Sequence, residues 1–279
     1  MVLYLGLDGG GTGCRAAICD HMGQLLGQGQ GGPANINSDP HGASVSILAA
    51  ATGAMVQAGA TPADLVAVLG VAGGGLTGPA AALRHSLPFA QTLVVNDAVT
   101  AARGALGNED GILVAIGTGS VLAVQRAGEL RQYGGRGFLM GDEGSGAVLG
   151  RTLLAQAMRA DDGFAHDSPL LAALRDEFGG HDGIIAFGTK ATPADFAGLA
   201  PRLVESHDPA ALHILDQAVA QMSDAIRVLQ QGQGLPVVCL GGLGPFYAAR
   251  LAQDWDVQPA KGSAVDGALA MARDLRGTV

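Results

Sequence analysis

One pattern, present twice, constrains this chain more than any other feature. A short apolar strand, a Gly-Thr-Gly loop, a second strand, a tight turn and a third strand occupy residues 3–29 and occur again at 112–133, about 108 residues later. Strands joined by short glycine-rich turns form antiparallel meanders. Because the meander occurs twice, the sequence predicts an α/β fold with two similar domains, each presenting a glycine loop to a shared central cleft.

The rest of the chain supplies helices and buried strands. The segments after the first meander alternate between amphipathic and apolar patterns, so the first half is predicted to be βββαβαβα. We place the domains at residues 1–103 and 104–279, with a hinge in 101–110. The predicted helices are 43–57, 79–85, 99–106, 145–159, 167–178, 182–187, 193–203, 209–231 and 264–276, and the further strands are 65–71, 92–96 and 236–240.

Composition and charge exclude several classes of protein. Hydrophobic residues form 48% of the chain, which excludes intrinsic disorder, and a net charge of −9 without a basic run argues against nucleic-acid binding. Two long uncharged stretches contain too many glycines and polar residues for a membrane span. The three cysteines form no CxxC motif and the amino terminus lacks a basic leader. We therefore expect a cytoplasmic protein with reduced thiols and no membrane partner.

Two common motifs are absent. Neither lysine of the chain lies in a GxxxxGK[ST] string, which excludes a P-loop nucleotide site, and no GxSxG string marks a hydrolase nucleophile. Gly27, Gly29 and Gly32 fit GxGxxG, but they follow a meander strand and precede a proline, so we interpret this match as chance.

A second GxGxxG match provides an alternative. Gly73, Gly75 and Gly78 follow a buried strand and precede a helix, and Asp97 lies 19 residues beyond Gly78. This is the arrangement of a nicotinamide-dinucleotide site. The match lies outside the first βαβ unit and its helix is short, and both features disfavour that interpretation.

The string Asp8-Gly-Gly-Gly-Thr-Gly-x-Arg15 is much less generic. Consecutive glycines let backbone N–H groups approach a phosphate without a Cβ in the way, while the threonine adds a hydroxyl and the arginine a positive charge. Asp8 is a candidate ligand for Mg²⁺, directly or through water. The alternative is a plain hairpin with an aspartate in its turn. The candidate phosphate-binding residues are Gly10, Gly11, Thr12, Gly13 and Arg15.

Two later glycine strings extend the candidate nucleotide site. The first, in the second meander, offers the same donors, and two such loops would hold the β- and γ-phosphates between them. The other follows the strand at 236–240 and would contact an adenosine, with a simple strand–helix turn as the alternative. The candidates are Gly117, Thr118 and Gly119 in the former and Gly241, Gly242 and Leu243 in the latter.

Polar residues at strand and loop ends are candidates for the second substrate. Asn96 and Asp97 follow a strand at its carboxyl end, where open α/β sheets bind ligands, and Asp97 is a candidate general base for an attacking hydroxyl. Capping of the next helix is the alternative role. Asp142 and Asn35 lie in loops and suit contacts with sugar hydroxyls, although Asp142 also suits a helix amino terminus.

These motifs, in this order, resemble the N-acetylglucosamine kinase branch of the actin-like ATPase superfamily, the BadF/BadG/BcrA/BcrD ATPase group. The resemblance spans nearly the whole chain, and within it the strings at 14–17, 34–36 and 142–148 are most similar to bacterial glucosamine kinases. The motifs are Asp8-Gly-Gly-Gly-Thr-x-x-Arg15, Gly32-Pro-Ala-Asn35, Asn96-Asp97-Ala98, Gly117-Thr-Gly-Ser120, Gly134-Gly-Arg-Gly137, Gly141-Asp-Glu-Gly-Ser145 and Gly241-Gly-Leu-Gly244.

The resemblance implies two ribonuclease H-like domains that close on ATP, Mg²⁺ and an amino sugar. It implies transfer of a phosphoryl group to the sugar 6-hydroxyl with Asp97 as the base, a homodimer, and a last helix at 264–276 that returns to the first domain. Asn35, Thr118 and Asp142 match sugar-binding positions of the family. The full set of candidate substrate-binding residues is Asn35, Asn96, Asp97, Thr118, Gly135, Arg136 and Asp142.

One position departs from the family pattern. N-acetylglucosamine kinases commonly have tryptophan where this chain has Arg136, near the acyl group of the sugar. Loss of that aromatic wall favours glucosamine as the substrate and leaves N-acetylglucosamine as the alternative. An arginine would repel a glucosammonium ion unless a carboxylate such as Asp142 or Glu143 lies between them.

Two other functions remain as alternatives. Related ATPases activate radical dehydratases, but they hold an iron–sulfur cluster with cysteines in a setting that Cys14, Cys19 and Cys239 lack. A non-catalytic sugar sensor or an actin-like assembly module would bind nucleotide without turnover. The presence of Asp97 together with both glycine loops argues against that function.

Overall fold

The computed structural model describes residues 2–276, with the backbone alone at Arg276, and shows an α/β protein with two mixed sheets. The α/β class predicted from the sequence is confirmed. The strands are β1 (Leu3–Gly9), β2 (Cys14–Cys19), β3 (Leu25–Gly31), β4 (Leu65–Val71), β5 (Gln91–Asn96), β6 (Gly111–Ile116), β7 (Ser120–Arg126), β8 (Glu129–Gly134) and β9 (Val237–Leu240).

Helices follow the strands in the order that the sequence predicts for the first half. A short 3₁₀ helix at Pro62–Asp64 is the addition there. The helices are α1 (Pro40–Ala58), α2 (Thr77–Ser86), α3 (Asp97–Leu106), α4 (Gly146–Asp161), α5 (Pro169–Phe178), α6 (Gly180–Lys190), α7 (Pro193–Ala197), α8 (Ala200–Val204), α9 (Pro209–Gln230), α10 (Gly244–Leu251) and α11 (Ala264–Arg276).

The chain packs as two compact units. The first contains residues up to Gly111, Ala123–Gln132 and the chain from Pro259 onward, and the second contains Ile112–Leu122 and Tyr133–Gln258. Compact packing does not show that a unit folds independently. The domain boundary predicted between residues 103 and 104 therefore stays a prediction.

The first sheet has the order β3-β2-β1-β4-β5. β1 pairs antiparallel with β2 and parallel with β4, and β4 pairs parallel with β5. Alternate side chains of a strand face opposite sides of its sheet. In β1, Leu5 and Leu7 face α1 while Tyr4 faces α11, and all three are buried. Both faces of the central strands are therefore covered, which explains their continuous apolar sequence.

Helix α11 lies against the face of the first sheet opposite α1. Ala268, Leu269 and Ala272 are buried there beside Tyr4 and Val68. Small residues allow the close approach of the helix to the sheet. A Cβ on Gly6 of β1 would lie 2.7 Å from the Leu269 backbone nitrogen. The carboxyl-terminal helix of the described chain therefore completes the core of the first unit.

Alternate glycines in β3 have a packing role. Side-chain atoms at Gly27, Gly29 and Gly31 would collide with the backbone carbonyls of Ala54, Ala50 and Ser46, which follow one another at four-residue intervals along α1. The glycines thus let one face of the helix rest directly on the edge strand. This packing explains Gly27 and Gly29 of the GxGxxG match, and a Cβ on its third glycine, Gly32, would lie 3.0 Å from Ser46 Oγ of the same helix.

The second sheet has the order β8-β7-β6-β9, with β6 parallel to β9. Helices α4 to α10 all lie in the second unit. The helix predicted at 193–203 is wrong in one respect, because it is broken into α7 and α8. Pro201 has no N–H to donate to the carbonyl of Ala197, so the helical hydrogen-bond ladder cannot continue through this point. Within residues 2–276, no helix is long and apolar enough to cross a membrane.

The contact between α1 and β3 predicts a large effect of one methyl group. We expect Gly29→Ala to lower the free energy of unfolding by about 1–3 kcal/mol, because its Cβ has no room against the Ala50 carbonyl. Urea unfolding followed by circular dichroism measures the change. Gln28→Ala is the matched control, since the Gln28 side chain is exposed, and should change stability by less than about 0.5 kcal/mol. Equal stabilities of the two variants would contradict this packing.

Candidate active site

The carboxyl ends of β1, β4 and β5 bring the first group of predicted residues together. The three strands are parallel, so Asp8 at the end of β1 and Asn96 at the end of β5 meet at one edge of the sheet. Backbone hydrogen bonds fasten the loops of this edge: Ala72 donates to Gly9 (2.8 Å) and Ala34 donates to Gly10 (2.9 Å). Loops that are distant in sequence thus share one surface.

A cavity of about 550 Å³ opens at this edge. Asp8, Asp97 and Arg15 line it together with the glycine loop, so the structure assembles these sequence-predicted residues around one space. The loop residues that line the cavity are Gly10, Thr12 and Gly13.

The glycine loop is open on its outer side. Neither Gly10 nor Gly11 has a left-handed φ, and no protein atom lies within 4 Å of a Cβ placed on either residue. Neither backbone conformation nor packing within the protein therefore requires glycine here. Absence of a Cβ leaves room for a ligand to approach the backbone closely.

The free donors of the loop are fewer than the sequence indicates. The Gly10 N–H donates to the Gly13 carbonyl (3.0 Å) and is thus occupied within the loop. Among the described residues, the N–H groups of Gly11, Thr12 and Gly13 have no hydrogen-bond partner. These three groups form the candidate anion-binding surface.

Burial raises the pKa values of the two carboxylates in the cavity. Burial, with a further contribution from the negative charge of Asp97, raises the pKa of Asp8 to about 6, although Arg15 acts in the opposite direction. Burial also raises the pKa of Asp97, against the effect of backbone N–H groups that donate to it. Both groups are therefore poised to hold or accept a proton nearer neutral pH than an exposed aspartate.

The start of α3 fixes Asn96 and Asp97. The Ala98 N–H lies 3.0 Å from both Asn96 Oδ1 and Asp97 Oδ1, so the asparagine caps the helix and the aspartate shares that donor. The capping role and a ligand-binding role are thus compatible. Capping uses the amide oxygen of Asn96, which leaves its amide nitrogen for a ligand.

Asn35 lies on the same edge in a tight turn. Its Oδ1 accepts hydrogen bonds from the backbone N–H groups of Asn37 (3.0 Å) and Ser38 (3.2 Å). The Ile36 N–H donates to Ala72 (3.0 Å) and ties this turn to the end of β4. The Asn35 side chain is therefore oriented by its own loop and offers donors, rather than both donors and acceptors, to a sugar.

The GxGxxG string after β4 is only partly explained by local structure. Gly73 has a φ of +85°, which the turn requires, and a Cβ on the adjacent Gly74 would collide with the Val95 carbonyl. The other two glycines of the match are not constrained in this way: a Cβ on Gly75 would lie 3.7 Å from the Asn96 Cβ, and no protein atom lies within 4 Å of a Cβ on Gly78.

The second unit builds a comparable loop after β6. Gly117 N–H donates to the Gly119 carbonyl (2.8 Å), and the start of α4 holds the loop through Gly146, which donates to the Gly117 carbonyl (2.8 Å). Thr118 is exposed, and no protein atom lies within 4 Å of a Cβ on Gly117. As in the first loop, the glycine leaves open space for a ligand.

The loop at 241–244 meets the end of β6. Gly241 has a φ of +90° and packs against the Ile116 carbonyl, which also accepts a hydrogen bond from Leu243 (3.1 Å). Gly242 faces open space. This packing brings the candidate adenosine loop next to Gly117 within the second unit.

Asp142 has a role that its sequence context does not show. It is buried with a φ of +60°, and its carboxylate accepts hydrogen bonds from the backbone N–H groups of Gly137 (3.3 Å) and Ser120. Burial raises its pKa. Asp142 therefore joins the 117–120 loop to the 134–145 loop.

Gly135 and Arg136 lie exposed in the 134–145 loop. Glu143 is close by: a Cβ on Gly141 would lie 3.2 Å from the Arg136 Cβ and 3.7 Å from Glu143 Oε2. An exposed carboxylate thus neighbours the arginine that departs from the family pattern.

Sequence reasoning missed Gln30 as part of the cavity. Strand register aligns Asp8 with Arg15 and Arg15 with Gln30, so the three side chains form one row across β1, β2 and β3. Gln30 consequently lines the cavity beside the carboxylates. The alternation of glutamine and glycine in β3 was the available signal, but it acquires meaning only with the register.

Comparison with known proteins finds relatives that match this chain. Residues 5–263 match the BadF/BadG/BcrA/BcrD ATPase family. The glucosamine kinase GspK of Vibrio cholerae serotype O1 is 33% identical over 288 residues, covering 98% of this chain and 96% of that protein. An N-acetylmuramic acid/N-acetylglucosamine kinase of Clostridium acetobutylicum is 30% identical over 169 residues, covering 58% of this chain and 55% of that protein.

A solved structure extends the similarity to three dimensions. A candidate N-acetylglucosamine kinase from Chromobacterium violaceum superimposes with a TM-score of 0.86 at 32% identity, covering 98% of this chain and 99% of that one. The match confirms the actin-like fold that the motifs indicate. Together these similarities establish that the chain belongs to the BadF/BadG/BcrA/BcrD ATPase family.

Proposed function

We propose that this protein is an ATP-dependent amino-sugar kinase that phosphorylates the 6-hydroxyl of glucosamine. N-acetylglucosamine is the alternative substrate for the same mechanism. The observation that carries the proposal is the cavity in which Asp8, Asp97 and Arg15 face an open glycine loop. The 33% identity to a glucosamine kinase over nearly the whole chain supports this substrate class.

Asp97 is proposed as the general base. Its carboxylate is held at the start of α3, and burial raises its pKa, so it accepts a proton more readily than an exposed aspartate would. The base removes the proton of the sugar 6-hydroxyl as this oxygen attacks the γ-phosphorus. The bond from the γ-phosphorus to the bridging oxygen breaks, and ADP leaves.

Charge stabilisation comes from backbone donors rather than from a basic surface. The N–H groups of Gly11, Thr12 and Gly13 and the guanidinium of Arg15 are proposed to bind phosphate oxygens. We propose the same role for the Gly117–Gly119 loop, and an adenosine contact for Gly241–Leu243. Such positioned donors suffice for phosphoryl transfer, which needs mainly orientation and electrostatic stabilisation.

The cavity suits Mg²⁺. Asp8 supplies carboxylate oxygens, the ligands that this ion prefers, and a cation beside it would offset the nearby negative charge of Asp97. Within residues 2–276, no group of three or more His, Cys, Asp or Glu side chains is arranged to hold a metal. We therefore propose that Asp8 holds the ion together with ATP phosphates, as magnesium sites in kinases commonly do. A bound Mg²⁺ neutralises charge on the transferred phosphate.

The preference for glucosamine is proposed to rest on Arg136 and Glu143. An arginine cannot supply the aromatic wall expected beside an acetyl group. The Glu143 carboxylate next to it provides the negative charge that a glucosammonium ion needs. Thr118 and the amide nitrogens of Asn35 and Asn96 are proposed to contact sugar hydroxyls. The homodimer implied by the family stays a prediction.

The first test is a coupled ADP-release assay with ATP and Mg²⁺ on glucosamine, N-acetylglucosamine and glucose, beside a reaction without sugar. We expect the highest kcat/KM with glucosamine. A preference for N-acetylglucosamine would keep the mechanism and overturn the role given to Arg136 and Glu143. Sugar-independent ATP hydrolysis would favour an activator ATPase, and nucleotide binding without turnover would favour a sensor.

Removal of the proposed base gives the second test. Asp97→Asn should lower kcat by about 10²- to 10⁴-fold while ATP affinity stays within about two-fold, because the amide cannot accept the proton. Steady-state kinetics and calorimetric ATP titration measure the two effects. Asp39→Asn is the control, since asparagine caps α1 as well as aspartate does. Normal turnover of Asp97→Asn would disprove the base assignment.

The raised pKa of Asp8 predicts that the free energy of unfolding depends on pH. The Asp8 pKa of about 6 in the folded protein exceeds the ordinary aspartate pKa of 3.8, so the folded state binds the proton more tightly and ionisation destabilises it. The penalty is absent below about pH 4 and complete above about pH 6. Without magnesium, Asp8→Asn should therefore raise the free energy of unfolding at pH 8 by about 1–3 kcal/mol and change it little at pH 4.

Urea unfolding at the two pH values measures this difference, with Asp39→Asn again as control. A stability gain of Asp8→Asn that is the same at both pH values would show that repulsion and burial of the charge are not its cause. Loss of stability at pH 8 would contradict the assigned direction.

A further inference from the structure

The loop at 134–145 contains the residues proposed to distinguish sugars, yet its backbone is easily deformed. Gly134, Gly135 and Gly137 all have left-handed φ values, and glycines in such positions cost the most backbone entropy to hold in one conformation. Asp142 secures one end of the loop through Gly137 and Ser120. Something must also hold its middle if Arg136 and Glu143 are to be presented in a fixed geometry.

Phe138 is the residue that secures the middle. Its ring stacks on Phe196 of α7, with centroids 5.4 Å apart and planes at 29°. The next two residues behave differently, since Leu139 is 84% exposed and Met140 is 82% exposed. The loop therefore inserts one aromatic side chain into the unit and leaves its neighbours in solvent.

Arg151 covers Phe138 as a cation–π partner. Its Cζ lies 4.8 Å from the ring centroid, and its guanidinium is within the range where a cation is attracted to a ring face. Arg151 is on α4, whose amino terminus also holds the Gly117 carbonyl through Gly146. A single helix thus contacts both the phosphate-loop candidate and the 134–145 loop.

The aromatic contacts continue from α7 to α6 and α5. Phe196 packs edge-on against Phe187 (5.4 Å), which packs edge-on against Phe178 (5.1 Å). Four of the seven phenylalanines in the chain belong to this series. Phe196 itself is buried, and Gly150 of α4 has no Cβ to obstruct its carbonyl. Phe138 is therefore anchored to a buried ring that is itself part of a larger aromatic cluster.

We propose that Phe138 and Arg151 are positioning residues for the amino sugar. They hold the 134–145 loop so that Arg136, Asp142 and Glu143 keep one geometry before the sugar binds. This inference rests on the proposed kinase function. Weakening the anchor should lower the affinity for the sugar, because part of the binding free energy must then order the loop.

Kinetics of surface variants test the proposal. Arg151→Met keeps the length of the side chain and removes the cation, and it should raise the KM for glucosamine about three- to ten-fold with the KM for ATP unchanged. Arg151→Lys retains a cation and should recover part of the loss. Arg159→Met, on the same helix and exposed but without a ring partner, is the matched control and should match the wild type.

Substitution of the ring provides a second measurement. Phe138→Tyr keeps the aromatic face and should behave as the wild type. Phe138→Leu removes both the stack on Phe196 and the ring that Arg151 covers, so it should raise the KM for glucosamine at least as much as Arg151→Met. The double variant Phe138→Leu with Arg151→Met should match Phe138→Leu alone, since the arginine then has no ring left to contact. If the effects of the two substitutions on the KM for glucosamine were additive in the double variant, the proposed shared role would be wrong. An equal rise in the KM for glucosamine and the KM for ATP would also overturn it.

Amide hydrogen exchange separates this proposal from the proposed function. In the ligand-free protein, exchange within 134–145 should be faster in Arg151→Met than in Arg159→Met. Unchanged exchange would overturn the anchor whatever the enzyme phosphorylates. A wild-type protein without sugar kinase activity would instead disprove the proposed function, while faster exchange in Arg151→Met would still support the anchor.

Discussion

Parallel pairing of β1 with β4 and of β4 with β5 is the constraint on which the first unit depends. It brings three carboxyl ends to one edge of the sheet and so places Asp8 beside Asp97, which is 89 positions later in the sequence. Parallel strands need both faces covered, and α1 and α11 supply that cover. The same pairing thus determines the core and assembles the candidate site.

The site combines features that oppose stability in the absence of a ligand. Burial raises the pKa of both Asp8 and Asp97, the negative charge of Asp97 raises that of Asp8 further, and a glycine loop leaves N–H donors without partners among the described residues. A bound nucleotide with its cation would satisfy both. This complementarity between unsatisfied groups and a charged ligand is the physical reason to interpret the cavity as a phosphoryl-transfer site.

Much of the secondary structure could be predicted from the sequence, because the formation of a strand or a helix depends largely on residues close together in the chain. The apolar segments of β1, β4 and β6 formed strands, and the loops after β1 and β6 lie where the repeat indicates. The single helix predicted at 193–203 was wrong because Pro201 interrupts its hydrogen-bond ladder, although the proline is itself a local signal in the sequence. The glycines of β3 could not be explained from sequence, since their cause is the backbone of α1.

The sequence by itself determined which functional groups are present: an aspartate at a strand end, glycine loops with backbone donors, and a second aspartate at the start of a helix. These motifs also identified the family. Only the tertiary structure decided which atoms remain free for that chemistry. In the folded chain, the Gly10 N–H and the amide oxygens of Asn35 and Asn96 already have hydrogen-bond partners within the protein. The Asp142 carboxylate accepts hydrogen bonds from two backbone N–H groups, and the Phe138 ring lies under the Arg151 guanidinium. Hydrogen-bond partners and ring contacts depend on distances between segments far apart in the chain, and no local pattern encodes those distances.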